Sequence, residues 1–280
     1  MNRILYPILI LVFFAMGCSQ VDIGSIGQVA QETFSAAKPL SDEEEYYVGR
    51  AVAAQILSTY PLLENRRLTD YVNSVGETVA LHSDRPVTYG GYHFAILNSS
   101  EINAFSCPGG IIFITRGTIN AVRNEDELAA VLAHEVAHIN HRDGVSAIQK
   151  ARLTQVATLI GSQAAQRYTP AQLSQLVSAF EGSVDDVFKT IVVNGYGRSQ
   201  EYHADESALS YLSRAGYDPS ALEDFLERLV SQGQSSGGGI MKTHPATADR
   251  IERVKRETPS VKVDASAFKI RTRRFQEAVR

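Results

Sequence analysis

The sequence predicts an α+β fold that is predominantly helical and carries a small mixed or antiparallel sheet. Three observations predict it. Between Ser41 and Arg256 most of the chain divides into segments of helical periodicity, several opened by a capping residue or closed by Pro. Only two runs, Tyr92–Leu97 and Ile111–Thr115, are rich in β-formers and set off by turn residues. The 280 residues suffice for one large core, or one core with a small appendage.

Composition narrows the function classes. A net charge of -4 gives no basis for nucleic-acid binding, and no nucleic-acid partner is expected. Cys18 and Cys107 are the only cysteines, which excludes a disulfide framework and an all-Cys structural zinc site.

The first 17 residues read as a signal peptide. Arg3 precedes an apolar run, Ile4–Met16, that is short for a membrane span. It ends at Ala15-Met16-Gly17-Cys18-Ser19, which resembles a bacterial lipoprotein signal with Cys18 as the lipidated residue; Ala15 stands where Leu is commoner. Ordinary secretion and an uncleaved anchor are the alternatives. A Cys-Ser start implies, by analogy, an outer-membrane destination. Residues 18–40 then form a polar tether.

The domain proper is expected over residues 41–260. Ser41 with Glu44 forms a capping-box pattern opening a helix to about Thr59, with Val48, Val52, Ile56 and Leu57 inward. Leu68–His82 is a second helix with Tyr71, Val72, Val75 and Val79 along one stripe. The two strands follow, with Asn103-Ala-Phe-Ser-Cys107 and Pro108-Gly109-Gly110 between them. That stretch is either a sheet edge to which an extended peptide could add, or an ordinary hairpin over the core. Val145–Gln166 and Pro170–Val193 are helical in composition, and further helices are expected from Arg198, over Pro219–Ser231 and over Asp249–Arg256. Gly233–Gly239 is flexible by composition. Residues 261–280 form a short basic tail, expected to be solvated.

Chemistry concentrates in Asn124–His141. Asn124 is a good N-cap, Glu127 completes a capping-box pattern, and acidic residues fill the first turn. Inside lies His134-Glu135-Val-Ala-His138. Four residues along a helix turn the side chain by about 400°, so both imidazoles share one face one turn apart. That spacing suits two neutral nitrogens on one zinc ion, with Glu135 placed to take a proton from water. The third ligand stays open among His141, His203, His244 and Glu201. His141 is two turns from His134 and reads as a surface residue. Glu201 has Asp205 four residues on, and an outer carboxylate can orient a ligating imidazole.

These stretches together resemble the gluzincin metallopeptidases related to HtpX, the mitochondrial inner-membrane stress peptidase and the C-a-a-X prenyl protease. The likeness rests on His134–His138, Glu201-x-x-x-Asp205, Asn103-Ala-Phe with Pro108-Gly-Gly and Phe113-Ile-Thr-Arg116-Gly, Tyr71–Gly76, and Thr243-His-Pro with Arg250-Ile251, so it spans about residues 41–255. The periplasmic LoiP/BepA-like lipoprotein branch is the most similar. The resemblance implies a zincin-type fold and a zinc endopeptidase holding one Zn2+ per chain through His134, His138 and Glu201. It implies Asp205 behind that ligand set, Glu135 as the catalytic base, and His244 beside the metal as either a transition-state aid or a removable fourth ligand. Substrate would lie along Asn103, Ala104, Gly109 and Gly110. The partners implied are polypeptides, outer-membrane proteins or their assembly machinery among them. The alternative is a periplasmic chaperone or assembly factor whose zinc site His244 keeps shut. Cys107 stands where an aliphatic residue is usual, and reads as a small buried hydrophobe.

Overall fold

A three-stranded sheet divides the interior into two hydrophobic cores. It comprises β1 (His93–Leu97), β2 (Ala104–Cys107) and β3 (Ile111–Thr115) in the order β1-β3-β2. β1 runs parallel to β3, with His93 opposite Ile111 and Leu97 opposite Thr115, and β2 pairs antiparallel to β3. The computed structural model describes residues 40–146, 178, 181–231, 239–245, 247–261 and 264–280. Cys18, the signal and tether segments before residue 40, most of Val145–Gln166, the first part of Pro170–Val193 and all of Gly233–Gly239 but Gly239 lie outside the described residues.

The alternation of side chains explains why both faces are apolar. Phe94, Ile96, Ile112 and Ile114 enter one core with α2 (Arg66–Leu81) and α4 (Glu125–Asn140). Leu97, Phe105, Cys107 and Phe113 enter the other, beneath Val48, Val52 and Ile56 of α1 (Asp42–Thr59). A sheet covered on both faces has no polar face to reveal it in the sequence. β2 is therefore a buried strand of a mixed sheet, and its antiparallel partner β3 makes the hairpin.

The turn between β2 and β3 is fixed by backbone packing. Gly109 and Gly110 have φ of +80° and +115°. A Cβ on Gly110 would lie 2.4 Å from the Gly91 carbonyl oxygen, and one on Gly109 would lie 2.6 Å from Tyr46 Cα. The Gly109 N–H also donates to the buried Glu45 Oε1 at 3.2 Å, so α1 and this turn are locked together.

After β3 the chain forms a short α3 (Arg116–Ala121), then α4. Residues 181–188 are helical and end in a π-helical segment, Lys189–Asn194. α5 (Arg198–Ala215) packs along α4, and α6 (Ser220–Ser231) packs on the same helix. A one-turn α7 (Ile240–Thr243), α8 (Ala248–Glu257) and α9 (Ala265–Ala278) complete the described chain. None of the described helices is long and apolar enough to cross a membrane.

Three local expectations need correction. Leu57 is 37% exposed rather than inward. The capping box is complete at Ser41 and Glu44, but only half formed at α4. There Asn124 accepts from the Glu127 N–H, while the Glu127 carboxylate instead takes Arg228 and the Arg123 N–H. The basic tail is not merely solvated: α9 buries Phe275 and Ala278. Two of its cations have buried partners: Arg271 pairs with Asp126 at 2.9 Å and Arg274 pairs with Glu125.

Candidate metal centre

α4 presents His134 and His138 on one face, and their Nε2 atoms come to 3.1 Å of each other. α5 lies across this face and brings Glu201 in its first turn. Glu201 Oε2 is 3.4 Å from His134 Nε2, and its Oε1 is 3.4 Å from His138 Nε2. His244, just after α7, places Nδ1 2.9 Å from Glu201 Oε1 and 3.3 Å from His134 Nε2. All four residues are buried, and their ligand atoms lie within 4.8 Å of one another.

Each outer nitrogen faces a carboxylate, and His138 Nδ1 alone makes a hydrogen bond to it. His138 Nδ1 lies 2.7 Å from Asp143 Oδ2, and His134 Nδ1 lies 3.0 Å from Asp205 Oδ1. Protons on these two Nδ1 atoms leave both Nε2 lone pairs facing each other. Two lone pairs at that separation repel unless a cation or proton stands between them. The donor set, two imidazoles and a carboxylate with a third imidazole close by, fits a zinc ion. The buried Glu135 Oε2 has no hydrogen-bond partner, as expected of a carboxylate that must face water at the centre. Glu135 Oε1 lies 3.6 Å from His244 Nε2.

Arg250 on α8 balances the buried negative charge. It donates to Asp205 through Nε and NH2, each at 2.7 Å, and to Glu201 Oε2 through NH1 at 2.6 Å. Burial works against ionisation of Glu201, yet His244 and Arg250 hold its pKa well below the usual carboxylate range. Asp205 is held low against burial in the same way, by Arg250 first and then His134. Burial draws His134 down, but Asp205 and Glu201 outweigh it and hold its pKa up at about 10. A proton and a cation thus compete for the same imidazole.

The structure brings His134, His138, Glu201 and His244 together, with Glu135 and Asp205 against them. His141 caps α4, bonds Ser207 Oγ at 3.0 Å and meets the His203 ring edge-on at 6.4 Å, so neither belongs to the cluster. Asn103 is buried and turned inward: its Oδ1 accepts from the Ala104 N–H and from the Thr243 hydroxyl beside His244. Gly109 and Gly110 face Tyr46 and Gly91 across the turn. Cys107 is fully buried, and burial, then Glu135, pushes its thiol pKa up, so it sits there as a neutral thiol.

Three neighbours carry roles that sequence reasoning missed. Asp143 falls five residues after His138, past the helix end at a turn where Arg142 takes φ of +58°, so helical spacing excludes it. Tyr196 stacks its ring on His138 at 4.1 Å, a contact set by the chain's return after the π-helical segment. Arg250 lies in a matched motif, and the signal for its role is the need of two adjacent buried carboxylates for a cation.

A helix bearing His134-Glu135-x-x-His138, crossed by a helix bearing Glu201, defines the gluzincin class of metallopeptidase site. The sequence matches Peptidase family M48 over residues 64–258, and the chain belongs to that family. It is similar to the beta-barrel assembly-enhancing protease of Escherichia coli (strain K12), 29% identical over 78% of this chain and 44% of that protein. The Yersinia pestis protein of the same name is 28% identical over 83% of this chain and 48% of its own length. The mitochondrial metalloendopeptidase OMA1 of Schizosaccharomyces pombe is 31% identical over 60% of this chain and 47% of that protein. The chain spans less than half the length of each of these relatives.

Proposed function

We propose that the chain is a zinc-dependent endopeptidase that hydrolyses peptide bonds of envelope proteins, misfolded or misassembled ones among them. The observation that carries this reading is the buried convergence of His134 Nε2, His138 Nε2 and Glu201 beside the unpartnered Glu135 Oε2. One zinc ion held by those three ligands would supply a Lewis acid and lower the pKa of bound water to about 7. Glu135 takes a proton from the attacking water and returns it to the leaving amine. Asp205 and Asp143 orient the two imidazoles, and Arg250 keeps Glu201 and Asp205 ionised.

The substrate would lie extended along β2, the edge strand. With Asn103 bonded to Thr115, the alternation directs the backbone groups of Ala104 and Ser106 toward the outer edge. The Ala104 N–H is already taken by Asn103, so its carbonyl is the group left to the peptide. Gly109 and Gly110 contribute by shaping the turn. The names of the beta-barrel assembly-enhancing relatives support outer-membrane proteins, or the machinery assembling them, as partners. Anchoring by a lipid on Cys18, at the outer membrane and facing the periplasm, rests on the sequence motif. Fatty-acid analogue labelling lost in Cys18→Ala supports the anchor, and an unmodified Cys18 in the mature protein overturns it.

One observation favours a second reading, that of a chaperone or assembly factor whose zinc site is shut. His244 Nδ1 stands close enough to Glu201 and His134 to be a fourth ligand. The test is hydrolysis of an unstructured protein such as casein by the purified chain. Metal-dependent cleavage by wild type, lost in Glu135→Gln, supports the peptidase; cleavage by His244→Ala but not by wild type favours the second reading.

A further inference from the structure

Among the described residues Arg142 is the one non-glycine residue with a positive φ, +58°. Such a left-handed position after a helix is usually filled by Gly or Asn, because a Cβ there crowds the following carbonyl. Strain of this kind persists where the surroundings enforce it, and here it bears on the metal centre. A helix continued past Asn140 would carry residue 143 about 140° around the axis from His138. The left-handed residue ends α4 instead. Its carbonyl accepts from the Val145 and Ser146 N–H groups and so opens a new helical turn. Asp143, first in that turn, comes back over α4 with Oδ2 2.7 Å from His138 Nδ1.

The start of α1 keeps an arginine in this conformation. NH1 donates to the Leu40 carbonyl at 3.0 Å, NH2 donates to the Asp42 carboxylate, and Nε lies 3.3 Å from Glu45 Oε2. Arg85 pairs with the same two carboxylates, at 2.9 Å and 3.1 Å, so neither loses its only cation when Arg142 is replaced. We infer that Arg142 is a positioning residue of the metal centre: gripped by the first turn of α1, it fixes the left-handed turn that sets Asp143 behind His138. This rests on the zinc peptidase reading and adds to it a residue on which the orientation of a ligand depends. The guanidinium's partners lie in residues 40–45 and none is a ligand, so its route to His138 runs through Asp143. Asp143 has a second holder, Gln200, whose amide donates to Oδ1 at 3.1 Å. That bond steadies the carboxylate once the turn has delivered it, and does not replace the turn.

The experiment is a double-mutant cycle on the full chain, read as zinc affinity by chelator competition. Asp143→Ala should weaken zinc binding roughly 10–100-fold, and Arg142→Ala roughly ten-fold. Added to Asp143→Ala, the Arg142→Ala change should weaken it no further, because the carboxylate it positions is gone. A general loss of stability would instead weaken binding by the same factor in both backgrounds. Arg142→Gly also loses the grip but enters the left-handed region without strain, so it should keep more zinc affinity than Arg142→Ala. Asp42→Ala loosens the grip from the α1 side, leaving α4 untouched, and serves if Arg142→Ala does not fold. It should weaken zinc binding less than Arg142→Ala does, and again only while Asp143 is present. At saturating zinc, Arg142→Ala should lower kcat for casein and leave KM unchanged, since a displaced ligand alters the chemistry rather than substrate binding. Wild-type zinc affinity in Arg142→Ala and Asp42→Ala, or equal losses with and without Asp143, would overturn the positioning role and leave the zinc reading intact. A wild-type chain that takes up no zinc is a different result, and would overturn that reading and this role with it.

Discussion

Arg250 grips both oxygens of Asp205, Nε to Oδ2 and NH2 to Oδ1, each at 2.7 Å, from a helix 45 positions further along the chain. The same guanidinium reaches Glu201, so one cation holds the ligand carboxylate and the carboxylate behind His134. Arg250→Ala leaves two buried acids uncompensated. It should destabilise the chain by about 3–5 kcal/mol and weaken zinc binding roughly 10–100-fold. Chelator competition and denaturant unfolding check both. Arg250→Lys keeps a charge but not the fork, and should recover stability only in part. Wild-type zinc affinity in Arg250→Ala would contradict this role.

His244 provides the second prediction. Its Nδ1 lies within the ligand cluster, so its removal should open a coordination position and raise casein turnover. A fall of roughly 10²–10³ would instead mark it as a donor to the developing oxyanion. Activity unchanged in His244→Ala would defeat both roles.

The metal-free protein should lose stability as pH rises. The His134 pKa is held up at about 10, by Asp205 and Glu201 acting against burial, while in the unfolded chain it returns to about 6.5. The protonated imidazole therefore contributes fully below about pH 6.5, and its contribution fades as pH rises toward 10. Zinc displaces that proton, so the metal-loaded protein should lack this slope. Melting temperatures in chelator and in zinc between pH 6.5 and 9 provide the comparison. A flat profile in chelator would count against the assignment.

What the sequence made legible was local. His134 and His138 are four apart on one capped helix, and Glu201 and Asp205 likewise, so each pair declares its face without tertiary information. The joining of the two pairs is non-local, which is why spacing left the third ligand open. The order of the sheet was hidden for the same reason. β2 is four residues long, buried on both faces and paired through a partner that also holds a parallel strand. α9 was misread because its arginines look like a solvated charge run until the buried Glu125 and Asp126 of α4 are placed against them. Glu127 fits a capping box by position, and only the approach of Arg228 from α6 diverts it.

That contact between α9 and the metal-bearing helix gives a stability prediction. Phe275 is 4% exposed and packs in the larger core. Phe275→Ala should cost about 3–5 kcal/mol, read from the denaturant midpoint at unchanged slope. A loss below about 1 kcal/mol, the level of an ordinary surface substitution, would mean α9 is not docked in solution.

The central claim is that His134, His138 and Glu201 hold one catalytic zinc that Glu135 serves without binding. Elemental analysis of the purified full chain, with casein hydrolysis measured on the same samples, tests it directly. Wild type should carry one zinc per chain, Glu135→Gln should carry one zinc and be inactive, and His138→Ala and Glu201→Gln should lose most of theirs. A His138→Ala protein that keeps stoichiometric zinc, or a Glu135→Gln protein that still cuts casein, would contradict the account.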